Sequence, residues 1–140
     1  MTDRISKTHR SWNMSRIRSV NTMPEVAVRS LLHNCGYRFR LHRKDLPGKP
    51  DIVLPKYRTA IFVHGCFWHR HENCKYATMP KSNVEYWVSK FQKNIERDKK
   101  KHELLLELGW RVLIVWGCEL SDPQALIRRL DSELDSKLAE

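Results

Sequence analysis

Two apolar, β-branched runs, "TAIFVHG" over 59–65 and "WRVLIVW" over 110–116, are separated by a long segment with helical periodicity. Few folds accept that order. "WRVLIVW" reads as a fully buried strand of the kind found in parallel sheets. Two such strands joined through a helix lie parallel, with a right-handed crossover. The joining segment opens on "SNVE", a capping box with Ser82 as N-cap and Glu85 at the third position. Val84, Trp87, Val88, Phe91, Ile95 and Leu105 then recur as one helical stripe, and Gly109 stops the helix.

The flanks extend this unit. "TMPE" sets another capping box, with Thr22 as N-cap, Pro24 in the first turn and Glu25 at the third position. The helix it opens carries Val26, Leu31 and Leu32 and ends at Cys35-Gly36. "YRFRLH" (37–42) alternates as a half-buried strand, "DLPGKP" breaks the chain before "DIVL" (51–54), and "PKYR" turns it back into 59–65. "SDPQ" caps a last helix with Leu126, Leu130, Leu134 and Leu138 at four-residue steps. The order helix, three strands, helix, strand, helix predicts one small α/β sandwich with a mixed sheet. At 140 residues it is large enough to bury a core without disulfide staples.

Formal net charge is +10, which favours a polyanionic partner, nucleic acid being the commonest. Residues 1–22 read as an arm, distinct from the domain over 23–140. It holds Arg4, Lys7, Arg10, Arg16 and Arg18 against Asp3 alone, interleaved with Trp12 and Met14. Such an arm tracks phosphates and carries apolar side chains to bases; a solvated tail is the plainer reading. No apolar run reaches membrane-spanning length and the first residues are polar and basic, so a reducing cytoplasm is expected. There, four cysteines read as thiols or metal ligands.

"HGCFWHRHENC" (64–74) concentrates such ligands. Cys66 and Cys74 bracket it, and Cys118 lies just past the strand 110–116. Loops after neighbouring parallel strands open on the same sheet edge, so Cys118 can reach this loop. Three thiolates and one imidazole make a closed tetrahedral zinc site of the structural kind. Spacing does not choose between His69 and His71. Cys35, away from this edge, reads as a small buried side chain. His33, His42 and His102 have no clustered partner and read as surface or packing residues.

Asp51 follows "GKP" at the start of a short strand. If "PKYR" is a four-residue hairpin loop, Leu54 pairs with Thr59 and Asp51 falls opposite Phe62. Asp51 and His64 then share a face as diagonal neighbours, within about 8 Å. A carboxylate beside a histidine at a strand end suits a divalent metal and a phosphate. A turn aspartate after proline is the bland alternative.

"PGKPDIV", "FVHGCFWH", "YWVSKFQKNIERD" and "LGWRVLIVWGCEL", in this order and spacing, resemble the very-short-patch-repair (Vsr) mismatch endonucleases. The resemblance spans roughly residues 7 to 120, and "HGCFWH" joined to "RVLIVW-x-C" carries it. It implies a restriction-endonuclease-like three-layer sandwich with a mixed sheet and a structural zinc site. It also implies a Mg-dependent, strand-specific nick 5′ to the T of T·G mismatches left by deaminated 5-methylcytosine. The implied partners are duplex DNA bearing that mismatch and mismatch-repair proteins, for a monomeric bacterial enzyme working in the cytoplasm at the nucleoid, off any membrane.

Carried over position by position, the resemblance makes Asp51 the catalytic carboxylate and His64 the histidine beside metal and scissile phosphate. His69 becomes the general base, Asp98 the residue orienting it, and Glu25 an outer partner of hydrated Mg. Cys66, His71, Cys74 and Cys118 match the zinc ligands. Phe67, Trp68 and Trp87 match aromatics that wedge beside the mismatch, and Met14 an apolar residue inserted from the opposite groove; Arg16 and Arg18 serve the DNA backbone. Trp87, on the inner stripe of a helix, also reads as core, and Glu25 also as a helix cap. Where a typical restriction nuclease has Glu-x-Lys, this chain has Phe62-Val63-His64. One carboxylate is missing, and the Val63 carbonyl is expected to coordinate Mg in its place. The competing readings are a restriction-type nuclease with another target and a non-catalytic zinc-stabilised DNA-binding module.

Overall fold

The computed structural model describes residues 23–139, with side chains up to Leu134. Met14, Arg16, Arg18 and the expected N-cap Thr22 therefore lie outside the described residues. The elements run α1 (Met23–Asn34), β1 (Arg40–Leu41), β2 (Ile52–Leu54), β3 (Thr59–His64), α2 (Val84–Glu107), β4 (Arg111–Trp116) and α3 (Pro123–Ala139). The sheet order is β1-β2-β3-β4. β1, β2 and β3 are antiparallel neighbours, whereas β3 and β4 run parallel. This is a mixed α/β architecture with the expected crossover.

The hairpin register is the expected one. Leu54 pairs with Thr59, and Ile52 with Ile61. A single 3-10 turn, Pro55–Tyr57, makes the reversal, and Arg58 closes it in the left-handed region at φ 46°. Proline favours the first position of such a turn because its φ is preset.

Alternation along the strands builds two cores. Ile52, Leu54, Ile61, Leu113 and Val115 meet Val28 and Leu32 of α1 and Leu126, Leu130 and Leu134 of α3. Val53, Ala60 and Phe62 face the other way, onto Leu105 of α2 with Leu46 and Trp110. Helices thus cover both faces of the sheet. The α3 leucines are fully or almost fully buried, and truncating such a side chain to alanine typically costs about 2–5 kcal/mol.

Several local expectations are corrected. The strand expected over 37–42 shrinks to Arg40–Leu41, although Tyr37 and Phe39 are half-buried between exposed neighbours. His42, at φ 49°, turns the chain out of the extended region. Ser82 and Glu85 form no capping box. Asn83 is the N-cap, in the left-handed region at φ 55° and without a side-chain cap bond. Gly109, at φ 84°, ends α2 as expected. The α2 stripe is buried only at Phe91 and Leu105, while Val84, Val88 and Ile95 are exposed. β4, expected to be fully buried, is buried only at Leu113 and Val115, and among the described residues it is an edge strand of the sheet. Cys35 is exposed, not buried.

Side chains occupy the open edge of β4. The Trp116 N–H donates to Glu119 Oε1 at 2.9 Å, and Arg129 Nη2 donates to the Ile114 carbonyl at 2.8 Å. Arg129 grips Glu119 through both carboxylate oxygens and reaches Glu133 with Nη1. On α3 the N-cap is Asp122, whose Oδ1 accepts from Ala125 N–H at 3.1 Å.

Candidate active site and metal centre

Three groups of side chains gather where β3 and β4 end and β2 begins. The first is the cysteine cluster. Cys66, His71, Cys74 and Cys118 bring one ligand atom each to within 4.8 Å of one another. The loop folds tightly to do this: His69 N–H donates to the Gly65 carbonyl and His71 N–H to that of Cys66, while Arg70 and Asn73 take positive φ. The Arg70 guanidinium then donates to the Phe67, Ala77 and Thr78 carbonyls and lies 4.1 Å over the Phe91 ring. Cys118 arrives from the end of β4, its Sγ 3.4 Å from His71 Nδ1.

It is His71 that joins the sulfurs, and His69 that does not. Burial, then the adjacent Cys66 and Cys74 sulfurs, push the Cys118 thiol up to about 12. Crowded thiols resist ionisation together, a repulsion that a bound cation relieves. A sulfur-rich tetrad therefore fits a soft or borderline divalent metal.

The second group is built on imidazoles. His69 Nδ1 is 2.6 Å from Asp98 Oδ2 on α2, a bond that fixes which ring nitrogen carries the proton. Burial works to raise the Asp98 carboxyl, but the His69 hydrogen bond and the neighbouring positive charge together leave it below its ordinary value. The His64 ring stacks on His69 at 3.8 Å and 7°. His64 is 4% exposed, and its Nδ1 has no hydrogen-bond partner among the described residues. Burial, with His69 alongside, pushes its pKa down to about 3, so the ring is neutral near pH 7.

Trp116 is the wall between these groups. Its ring stacks on His71 at 4.2 Å and meets His64 edge-on at 5.3 Å. Together with His64, His69, Asp98, Ile95 and Ile114 it lines a cavity of about 310 Å3. That explains two burial surprises, because Ile95 and Ile114 border this space and not a sealed core.

The third group is acidic. Asp51 Oδ2 accepts the Val63 N–H at 2.7 Å, tying the start of β2 to the end of β3. Burial, opposed by that bond and reinforced by the Glu25 carboxyl, pushes Asp51 up to about 7. Glu25 is 4% exposed, and its Oε2 lies 3.4 Å from His42 Nε2. Two carboxyl groups held together, one reluctant to ionise, again fit a divalent cation. Asp51 and His64 were expected as diagonal neighbours on one face of the hairpin. The register that expectation rested on is the one found, and within it Asp51 interacts with Val63, Glu25 and His42, while His64 interacts with His69, His102 and Trp116. Asp51 sits at a bend before the regular strand, and its carboxyl feels Glu25 of α1.

Two histidines dismissed from the sequence belong here. His42 approaches Glu25, and His102 packs on Phe62 at 5.0 Å and His64 at 5.9 Å. His102 was legible: it stands four residues after Asp98, hence on the same helix face. His42 had no comparable signal.

Beside the imidazoles stand the aromatics. Phe67 packs edge-on against Trp68, Trp87 and Phe91 at 5.1–5.7 Å. Trp68 stays 47% exposed, Trp87 is half-buried, and Tyr86 extends the cluster outward at 5.2 Å from Trp87. Asn94 Nδ2 holds the Trp68 carbonyl at 3.2 Å. A partly exposed aromatic ledge thus borders the histidines.

Residues 2–75 match the family model described as DNA mismatch endonuclease Vsr. The chain belongs to the Vsr family. The type II nicking enzyme V.XorIIP of Xanthomonas oryzae pv. oryzae is 57% identical over 135 residues, covering 96% of this chain and 98% of its own. The type II nicking enzyme V.NmeAIP of Neisseria meningitidis is 45% identical over 131 residues, covering 94% and 93%. The DNA mismatch endonuclease Vsr of Escherichia coli K12 is 44% identical over 140 residues, covering all of this chain and 87% of its own. Two of these relatives are named as nicking enzymes and one as a DNA mismatch endonuclease, and the chain is an endonuclease of this family. Among the described residues, no helix is long and apolar enough to cross a membrane.

Proposed function

We propose that this Vsr-family protein nicks one strand of duplex DNA 5′ to the T of a T·G mismatch, in a Mg-dependent reaction that starts very short patch repair. The observation that carries the reading is the His69–Asp98 pair, stacked on a buried neutral histidine beside a carboxylate-lined strand end. Asp98 keeps the proton on His69 Nδ1, which leaves Nε2 to accept a proton from the attacking water. His64, with an unsatisfied buried nitrogen, faces the scissile phosphate. Asp51 and the Val63 carbonyl would hold Mg, with Glu25 as an outer partner of its water shell. Bound there, Mg supplies charge neutralisation for the departing and attacking oxygens.

Cys66, His71, Cys74 and Cys118 would hold zinc as a structural ion. Its service is mechanical, since the loop it stiffens carries both the base and Phe67-Trp68. Those rings, with Trp87, wedge beside the mismatch, and Met14 enters from the opposite groove. Residues 1–22 act as an arm on the duplex, with Arg16 and Arg18 on phosphates, and the domain over 23–140 has the restriction-endonuclease-like sandwich. The enzyme works as a monomer in the bacterial cytoplasm, with mismatch-repair proteins as further partners.

The identity to enzymes named as type II nicking enzymes favours a second reading, in which sequence context as well as the mismatch selects the site. A purely DNA-binding module has no use for the His69–Asp98 pair. The test is incubation with Mg and duplexes carrying T·G in varied contexts, followed by mapping of the nick. Cleavage confined to the T strand beside the mismatch is expected; equal cleavage of matched duplexes would overturn the mismatch reading.

A further inference from the structure

We propose that His64, His69 and Asp98 form a further metal site, which takes a borderline transition-metal ion such as Zn2+ or Co2+ and thereby disarms the enzyme. The inhibition rests on the nuclease reading above; the site itself does not. Each of the three residues brings a ligand atom to within 4.8 Å of the others. His69 Nδ1 and Asp98 Oδ2 are already 2.6 Å apart, and His64 Nδ1 is buried with no partner among the described residues. Two imidazoles and one carboxylate select ions of the zinc, cobalt and nickel type. Mg is hard, demands oxygen ligands and keeps its water, so it does not compete there.

The two imidazole rings lie parallel, so their lone pairs do not converge until one ring swings. The adjoining cavity of about 310 Å3 gives it room. Lys99 lines that cavity, and Lys101 acts electrostatically on both His64 and Asp98. Positive charge beside the site keeps it weaker than the cysteine cluster. The cluster fills first, and the histidines take an ion only when metal is in excess.

The chemistry of inhibition follows from proton bookkeeping. A neutral imidazole carries one N–H. When Nδ1 ligates a metal, the ring proton moves to Nε2, so Nε2 changes from acceptor to donor. No proton is gained or lost overall, but the lone pair that would deprotonate water is gone.

The probe is Co2+ alone, added without DNA to protein already carrying one cluster metal, and followed by visible absorption and calorimetry. Wild type is expected to take one further equivalent. His69→Ala and Asp98→Asn should weaken that uptake by more than about tenfold, the loss seen even when an outer partner of a metal ligand is removed. His69→Gln serves if the alanine variant does not retain its cluster metal. Wild type loaded with the second ion should lose Mg-driven nicking and regain it on mild chelation. Absence of a second equivalent, or uptake undiminished in both variants, would overturn the site. Nicking by wild type before the second ion is added is scored separately: a protein that takes the ion but, free of it, cuts no duplex with Mg keeps the metal site and loses the nuclease reading, and undiminished nicking by the loaded protein would overturn the inhibition.

Discussion

Asp51→Asn should make the protein more stable, and increasingly so as the pH rises. Asp51 goes from an ordinary value of 3.8 to about 7 in the fold, chiefly through burial and then the Glu25 carboxyl, against the opposing Val63 N–H. The folded state therefore holds this proton more tightly than the unfolded one. The stability it contributes is full below pH 3.8 and is lost as the pH rises through 7. At about 1.36 kcal/mol per pH unit, wild type gives up about 1.7 kcal/mol of it by pH 5 and about 4.3 kcal/mol by pH 8. The difference, about 2.6 kcal/mol, is a ceiling because Asp51 is only partly buried; about 1–2.5 kcal/mol is the working range. Asparagine cannot ionise, and its Oδ1 still accepts from Val63. Urea denaturation of both proteins at pH 5 and pH 8, without divalent ions, should show the variant's advantage widening by that amount. Adding Mg at pH 8 at ten times its Kd should return about 1.4 kcal/mol to wild type alone. Parallel stability curves from pH 5 to 8 would refute the strained-carboxyl account, since every other titrating group is common to both proteins.

Purified protein should carry one zinc per chain, and Cys118→Ser should lower both zinc content and Tm; elemental analysis of active, zinc-free protein would remove the structural-zinc model. His69→Ala and Asp98→Asn should each slow single-turnover nicking by about 10²–10⁴-fold while binding mismatched DNA almost normally. A matching loss of affinity, measured by anisotropy, would make the pair a docking element instead. Trp68→Ala should weaken T·G duplex binding by about 1–3 kcal/mol, matched duplex far less, and leave the salt dependence unchanged. Equal losses on both duplexes would return Trp68 to packing.

What the sequence made readable was whatever local chemistry and connectivity decide together. The four residues of "PKYR" fixed the Leu54–Thr59 register, Gly109 fixed the end of α2, and the crossover placed Cys118 beside Cys66 and Cys74. The errors came where exposure depends on what lies across the gap. Val112, Ile114 and Trp116 read as one side of a sealed strand. In the fold, Ile114 and Trp116 instead border the histidine cavity. Val84, Val88 and Ile95 fit the stripe of Phe91 and Leu105, but the N-terminal half of α2 packs through Trp87 and Phe91 on the loop carrying Phe67. The choice between His69 and His71 is a matter of loop path: Arg70 at φ 53° turns one ring to Asp98 and the other to the sulfurs.

The occupied edge of β4 has a consequence for shortened forms of the chain. A chain that stops ahead of Arg129 keeps the strand over 111–116 but lacks the guanidinium that guards it. The Ile114 carbonyl is then free to template another strand, and the apolar sequence "VLIVW" suits cross-β pairing. In the full chain an intruding strand must displace a guanidinium gripped by Glu119 and Glu133. Chains cut short ahead of Arg129 should therefore collect in inclusion bodies even where the sheet itself is intact.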